Sequence, residues 1–203
     1  VLTISNGTAS TGGVSGTSQI SDPGTTNISW LPQVGAKSYQ VLVNGTTTCT
    51  TTTTNCVINR LVGPKSSVAI VTQFTNGKVS LPEPTRYVPP VTPVQISVAN
   101  FDLNKAILSA KDKAGISKVA KLMEAEGYTS IQVAGHTDST GTQKINGPLS
   151  EARANAVYKY LQQILVGTPI SVVLLAKSAT EPVASNATDS GRAANRRAVL
   201  SLR

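Results

Sequence analysis

The sequence predicts two domains of different class, an all-β sandwich followed by an α/β two-layer sandwich in βαβαββ order. Up to about residue 88, short alternating apolar runs are separated by turn signals such as Asn44-Gly45. A proline-rich segment follows, and beyond it helical stripes with i, i+3, i+4 spacing alternate with apolar strands. Strands interleaved with helices are typical of a sheet with helices on one face.

Changes in composition divide the chain. Residues 1–16 are rich in Ser, Thr and Gly and lack periodicity, so we expect a flexible lead. Residues 17–88 carry the short strands. Residues 89–93 form a proline-rich linker, which we expect to be extended and fairly stiff. Residues 94–203 form the second domain.

Short strands fill the first domain. They are predicted at residues 26–31, 38–43, the threonine run, 56–58, 67–74 and 78–81. Ile28 and Trp30 share one face of the first strand, and Asn76-Gly77 is a second hairpin signal. Seven or so short strands with one buried tryptophan describe a β-sandwich.

This part of the chain resembles a fibronectin type III module. The matching features are an early Trp30, a mid-strand Tyr39, and Leu61 before a Gly-Pro turn. The resemblance implies a spacer or an adhesive unit, and we expect a spacer. The alternative is an adhesion or assembly role, in which this module binds a protein partner and the second domain is a scaffold.

The two cysteines, Cys49 and Cys56, flank the run CTTTTTNC. Their separation suits two neighbouring strands joined by a short loop, so a disulfide is feasible. A disulfide indicates an extracytoplasmic location. Two cysteines and a distant His136 do not make a zinc site, and we expect neither metal nor cofactor.

The formal net charge is +8 and the pI is about 9.7. The lysines are spread along the chain, and no aromatic residues alternate with them as in a single-strand-binding surface, so we expect no nucleic-acid partner. The balance suits a soluble protein facing an anionic matrix. No segment approaches the ~18 consecutive apolar residues of a membrane helix, so we expect no membrane span.

The second domain begins with a strand at 95–99. A helix at 112–126 follows and ends at Gly127, then a strand starts at Ser130. A second helix, a strand at 170–176, a short helix near Gly191 and a last strand at 198–202 complete it. The first helix has an apolar stripe of Ile116, Val119, Ala120 and Met123.

Arg153 is an unusual residue of the second helix. If Ser150 is the N-cap, Arg153 occupies N3 and lies one turn before Val157 on the apolar stripe. We therefore expect its guanidinium to point inward. A buried arginine requires an acidic partner or a ligand.

Catalysis has little support in the sequence. A serine triad would depend on His136, no GxSxG elbow surrounds a serine, and no carboxylate pair has glycosidase spacing. We expect His136 to order its loop by hydrogen bonding, and we expect the protein not to be an enzyme.

The loop before the second helix suits a binding site. Asp138 and Arg153 are a fixed anion and a fixed cation, and Thr140, Gln143 and Asn146 between them offer neutral donors and acceptors. One anionic and one cationic element match a zwitterion, an amino-acid-like group. Asp138 and Arg153 could equally form a salt bridge with each other, and the loop alone favours neither reading.

Four blocks in order resemble an OmpA-like peptidoglycan-binding domain across residues 94–203. They are FDLNKAIL, GHTDSTG, LSEARANAV and PVASNATDSGRAANRRAVLSL. The family binds the peptide stem of peptidoglycan, typically its diaminopimelate residue, without cleaving it. The resemblance implies a non-catalytic protein of the bacterial cell envelope that is anchored to the cell wall. It leaves open a diaminopimelate, amidated or lysine-type stem.

The resemblance also implies roles for single residues. Asp138 would take the ligand ammonium and Arg153 its carboxylate. Other matched positions are Asn146 and Thr140 in the pocket, Phe101 and Asp102 in the FD block, and Arg196 and Arg197 in the terminal NRR. A structural role is as well supported as ligand contact for these two arginines. Two departures are Gly147-Pro148, where helix-friendly residues are usual, and Lys177-Ser178-Ala179, where a glycine-rich turn is usual.

Overall fold

The computed structural model describes residues 2–6, 24–85 and 93–203. The chain divides into two compact units. The first includes 24–85 with the strand at 2–6, and the second includes 94–124 and 128–203. The predicted linker at 89–92 and the lead at 7–16 lie outside the described residues.

The first unit consists of two antiparallel sheets. Its strands are β1 (Leu2–Asn6), β2 (Thr26–Trp30), β3 (Ala36–Val43), β4 (Thr46–Thr51), β5 (Asn55–Ile58), β6 (Val68–Phe74) and β7 (Glu83–Thr85). One sheet has the order β1-β2-β5 and the other β4-β3-β6-β7. Assignment to the fibronectin type III family stays a prediction.

The two sheets share an apolar core, because alternate residues of both point inward. Ile28 from one sheet and Val41 from the other are fully buried in one cluster, and Trp30 packs against it. The disulfide between Cys49 on β4 and Cys56 on β5 is confirmed, with a Cα–Cα distance of 6.5 Å. Because β4 and β5 belong to different sheets, this bond joins the two sheets covalently.

Local sequence explains the turn between β3 and β4. Asn44 and Gly45 have φ of 52° and 78°, the left-handed pair that a two-residue hairpin turn requires. The prediction that 78–81 is a strand was wrong. Only Val79 forms a single bridge there. The last strand of this unit is β7, which contains Pro84 and lies at the edge of its sheet, where the lack of a proline N–H is tolerated.

The expectation of a flexible lead was wrong for residues 2–6. They form β1, which pairs along its length with β2. The alternation that places Leu2 and Ile4 against the apolar core supplies the reason, because burial stabilises the strand.

The second unit is a mixed four-stranded sheet with helices. Its elements are β8 (Val94–Asn100), α1 (Ala110–Glu126), β9 (Ser130–Gly135), α2 (Gln143–Ile164), β10 (Ser171–Ala176), α3 (Asp189–Asn195) and β11 (Arg197–Leu202). The sheet order is β10-β9-β11-β8, with β10 parallel to β9 and β11 antiparallel to both neighbours. The predicted α/β order is confirmed.

The helices bury the stripes that the sequence predicts. On α1, Ile116 and Met123 are fully buried, and Gly127 follows the helix with φ 78°. On α2, Val157 and Leu161 are buried against the sheet. No helix among the described residues is long and apolar enough to cross a membrane.

The predicted start of α2 was wrong. The helix begins at Gln143 after the N-cap residue Thr142, and Pro148 lies inside it. Ser150 is therefore a helical residue whose hydroxyl donates to the carbonyl oxygen of Gly147 at 2.8 Å. Tertiary hydrogen bonds made by Gln143 and Asn146 fix the first turn and outweigh the unfavourable helix propensity of Gly147-Pro148.

Candidate functional site

The site is built where β9 ends and the loop to α2 begins. Gly135, the last residue of β9, lies directly under α2, because a Cβ added there would overlap the carbonyl oxygen of Ser150. This close approach brings the following loop, residues 136–142, against the first turns of α2. Asn146 on α2 donates to the carbonyl oxygen of Asp138 at 3.4 Å.

Arg153 is fully buried, as its position on the apolar stripe predicts. Its partners are three carbonyl oxygens: those of Lys105 (3.0 Å), His136 (2.7 Å) and Asp102 (3.1 Å). Of the two expected alternatives, an acidic partner or a ligand, the acidic partner is not what bonds Arg153 among the described residues, because its hydrogen-bond partners are backbone carbonyls of two loops. The ligand stays a prediction. Arg153 thus joins the loop after β8 to the loop after β9.

The surroundings of Arg153 are apolar on one side. The Phe101 ring lies 5.1 Å from the guanidinium carbon, within range of a cation–π contact. Burial, with the positive charge of Arg196, lowers the pKa of Arg153 to about 10, against an opposing effect of Asp138. The side chain remains charged at neutral pH.

Asp138 is 2% exposed and pairs with Arg196, whose Nη1 donates to Asp138 Oδ2 at 2.8 Å. The backbone N–H of Thr140 donates to the other oxygen, Oδ1, at 2.9 Å. Burial acts to raise the pKa of Asp138, but the hydrogen bonds from Arg196 and Thr140 outweigh it, and the pKa lies below its ordinary value. Asp138 is therefore a fixed, ionised carboxylate.

The reading in which Asp138 and Arg153 form a salt bridge with each other was wrong, because Arg196 is the ion-pair partner of Asp138. Arg196 also donates through Nε to the carbonyl oxygen of Phe101 at 2.9 Å. Arg197 holds the carbonyl oxygens of Asn195 and Glu181. Both arginines of the NRR block thus have structural partners.

His136 is buried and its Nδ1 has no hydrogen-bond partner among the described residues. Burial and the charge of Arg197 lower the pKa of His136 to about 4, although Glu181 opposes them. The imidazole is therefore neutral at physiological pH. Its backbone groups order the site: the N–H donates to Arg197 and the carbonyl accepts from Arg153.

An open cleft of about 620 Å³ lies above Asp138. Its lining residues are Leu103, Asp138, Ser139, Thr140, Asn186, Asp189, Arg192 and Arg196. Asp138 and Thr140 are the sequence-predicted site residues in this lining. The other four predicted residues, Asn146, Arg153, Phe101 and Asp102, do not line it. The Asp102 carboxylate pairs with Lys105 at an exposed position.

Sequence reasoning missed five lining residues. Leu103 follows the FD block and Ser139 follows Asp138, whereas Asn186, Asp189 and Arg192 belong to the fourth block. The available signal was the density of polar and charged residues in that block. Within the described residues, no group of three or more His, Cys, Asp or Glu could hold a metal ion.

Residues 100–196 match the model of the OmpA family. This match agrees with the OmpA-like resemblance that the sequence predicts for this part of the chain.

Three curated relatives are similar to a part of the chain. Outer membrane porin F of Pseudomonas aeruginosa is 40% identical over 131 residues, 64% of this chain and 35% of the porin. The porin F of Pseudomonas fluorescens is 36% identical over 112 residues, 55% of this chain and 34% of the porin. The peptidoglycan-binding protein ArfA of Mycobacterium tuberculosis is 39% identical over 98 residues, 48% of this chain and 29% of that protein. The chain thus spans about a third of the length of these relatives.

Among solved structures, the peptidoglycan-associated lipoprotein from Burkholderia pseudomallei is 29% identical with a TM-score of 0.44, covering 52% of this chain and 88% of that one. The cell wall anchor of the T6SS from Pseudomonas aeruginosa is 26% identical with a TM-score of 0.45, covering 55% of this chain and 82% of that one.

Proposed function

We propose that residues 94–203 anchor a cell-envelope protein to the cell wall by binding the peptide stem of peptidoglycan without cleaving it. The match of residues 100–196 to the OmpA family and the 39% identity to a mycobacterial peptidoglycan-binding protein support this function. The same relatives support a location in the bacterial cell envelope, outside the cytoplasm.

The ligand group is the free amino-acid end of diaminopimelate, which is a zwitterion. The observation that carries this choice is the ion pair of Asp138 and Arg196 on the cleft wall, an ionised carboxylate beside a cation. The ligand ammonium binds the Asp138 carboxylate, whose depressed pKa keeps it charged. The carboxylate of the ligand faces the cationic side of the site.

Arg153 is proposed to take part in binding that carboxylate. It uses three of the five N–H groups of a guanidinium on carbonyl oxygens, which leaves two. Thr140 and Asn146 hold Asp138, the first by an N–H bond to its carboxylate and the second by a bond to its carbonyl oxygen. Phe101 and Asp102 act through Arg153, one by its ring and the other by its carbonyl oxygen.

The experiment measures retention of the chain of residues 1–203 on protein-free sacculi that contain diaminopimelate. We expect Asp138→Asn to lose retention, because a charged pairing in such a site is worth roughly 2–5 kcal/mol. Glu151→Gln, an equal charge change at an exposed position on α2, is the matched control and should be retained. We expect no release of soluble muropeptides.

Undiminished retention of both Asp138→Asn and Arg153→Lys would overturn the proposed site. Failure of the unaltered chain to bind protein-free sacculi would overturn the function. It would instead favour the role in which the first unit binds a protein partner. The spacer role of that unit is part of the proposal.

A further inference from the structure

The cleft is larger than one zwitterionic head group requires. Its volume of about 620 Å³ lies within the range that accommodates drug-sized ligands of several chemical groups. Asp138 and Arg196 belong to its lining together with Asn186, Asp189 and Arg192, which come from the segment before β11. A ligand held at Asp138 can therefore extend over this second set of polar side chains.

Arg192 is the cation of that second set. Its Nη1 donates to the carbonyl oxygen of Asn186 at 2.8 Å, and its Nη2 pairs with the carboxylate of Asp189. Asn186 is itself fixed, since its Oδ1 accepts from the Ser139 N–H at 3.2 Å and from Asn195 Nδ2 at 2.9 Å. The guanidinium is thus positioned by the carbonyl of Asn186, whose side chain is bonded in turn to Ser139 of the loop that carries Asp138.

The partner of Arg192 is weakly held. The Asp189 side chain is 96% exposed, whereas that of Arg192 is 29% exposed. Exposed ion pairs three residues apart contribute little to stability, because water solvates both groups well. A carboxylate that is already fixed in the cleft by a second contact can displace Asp189 at low cost.

We infer that Arg192 binds a second carboxylate of the peptidoglycan stem peptide, and that Asp189 occupies the guanidinium until this ligand group arrives. The inference rests on the proposed function of the same cleft. A stem peptide carries two such groups beside the zwitterion: the α-carboxylate of the γ-linked glutamate and the carboxyl terminus of the peptide. Either presents the planar anion that a guanidinium pairs with two parallel hydrogen bonds.

The test is calorimetric titration of the chain of residues 1–203 with free meso-diaminopimelate and with synthetic stem peptides. In one pair of peptides the glutamate α-carboxylate is free or amidated, and in another pair the terminal carboxyl is free or amidated. Amidation at the group that Arg192 binds should weaken binding to the unaltered chain about tenfold or more, since a charged hydrogen bond is lost. In Arg192→Gln this amidation should have no effect.

Two further variants keep the inference testable if Arg192→Gln does not fold. Arg192→Lys keeps the positive charge but loses the planar guanidinium that forms two parallel hydrogen bonds. We expect amidation of the peptide to weaken binding to this variant to an intermediate degree. Asp189→Asn removes the competing carboxylate at an almost fully exposed side chain and should tighten binding of the free-acid peptide a few fold. Unchanged binding in Asp189→Asn together with equal affinities for acid and amide peptides would overturn the inference.

The outcomes separate the inference from the function on which it rests. If neither free diaminopimelate nor any stem peptide binds, the proposed function fails. If all of them bind the unaltered chain and Arg192→Gln with one affinity, the function stands and the role of Arg192 is wrong. If amidation weakens binding equally in both proteins, another residue recognises the second carboxylate, and the role of Arg192 is again wrong.

Discussion

Asp138 and Arg196 form an ion pair between residues 58 apart in sequence, with Nη1 and Oδ2 separated by 2.8 Å. Because Arg196 also holds the carbonyl oxygen of Phe101, the pair joins the loops after β8 and β9 to the start of β11. The Asp138 carboxylate is therefore fixed and ionised before any ligand arrives. In that state a cationic group can bind it without rearrangement.

Arg196→Gln should destabilise the second unit by about 2–3 kcal/mol, because the buried Asp138 carboxylate would lose its cation. Denaturant unfolding monitored by circular dichroism measures this change. The double variant Asp138→Asn/Arg196→Gln should recover part of the loss. A loss below about 0.5 kcal/mol, the range of ordinary surface substitutions, would contradict the structural importance of the pair.

Arg153→Lys keeps the charge but cannot reach all three carbonyl oxygens that the guanidinium bonds. We expect a loss of about 2–4 kcal/mol in unfolding free energy, since carbonyl groups are left unsatisfied. Lys159→Gln, at an exposed position on the same helix, is the control and should change stability by less than about 0.5 kcal/mol. If both substitutions change the unfolding free energy equally, the positive charge of Arg153, and not the planar geometry of its guanidinium, is what stabilises the fold.

His136 predicts a pH dependence of stability with a defined sign. Its folded-state pKa of about 4 lies below the ordinary histidine value of 6.5, so the unfolded chain binds the proton more strongly. The stabilisation is fully present above about pH 6.5 and is lost as the pH falls towards 4. Between pH 7.5 and 5, the unfolding free energy should fall by about 2 kcal/mol from this group.

The variant His136→Gln isolates this contribution, because all other groups titrate in both proteins. The difference between the two pH profiles is the quantity to compare. Parallel profiles from pH 7.5 to 5 would show that the imidazole is not buried in its neutral form.

Most elements were predictable because their signals are local. The alternating apolar runs gave β2 and β3, and the stripe on α1 gave its buried face. The start of α2 was not predictable, because Gln143 and Asn146 are held by contacts with Ser178 and Asp138 rather than by a capping residue. Tertiary contacts of this kind outweigh the unfavourable Gly147-Pro148 pair.

Only part of the site was predictable, because only some of its features follow from local sequence. The burial of Arg153 follows from helical periodicity. The pairing of Asp138 with Arg196 does not, because it depends on how β11 lies beside β9. Arg192 and Asp189 escaped notice because only the folded chain brings the fourth block to the rim of the cleft.

Ser178 lies where a glycine-rich turn is usual in the resembling family, and it adopts φ 48°. Its hydroxyl accepts a hydrogen bond from Gln143 at 3.1 Å, so removing the hydroxyl by itself lowers the stability. Ser178→Gly and Ser178→Ala both lose this bond, but only glycine relieves the backbone. We expect Ser178→Gly to be about 1 kcal/mol more stable than Ser178→Ala in thermal unfolding. The reverse order would contradict the left-handed conformation.

The disulfide should stabilise the first unit. A bond between residues separated by 7 closes a short loop, for which chain entropy gives about 2.5 kcal/mol. We expect Cys49→Ala/Cys56→Ala to lower the unfolding free energy of this unit by that order. Binding to sacculi should be unchanged, because the proposed site lies in the other unit. Loss of sacculus binding in a folded double variant would assign the binding to the first unit.

The affinity of residues 1–203 for two stem tripeptides, one with diaminopimelate and one with lysine at the third position, tests the central claim most directly. The lysine side chain ends in an ammonium without the neighbouring carboxylate, so only half of the zwitterion is present. We predict that the unaltered chain binds the diaminopimelate peptide at least about 30-fold more tightly, and that Asp138→Asn binds both peptides weakly. Equal affinity of the unaltered chain for the two peptides would contradict recognition of a zwitterion at Asp138.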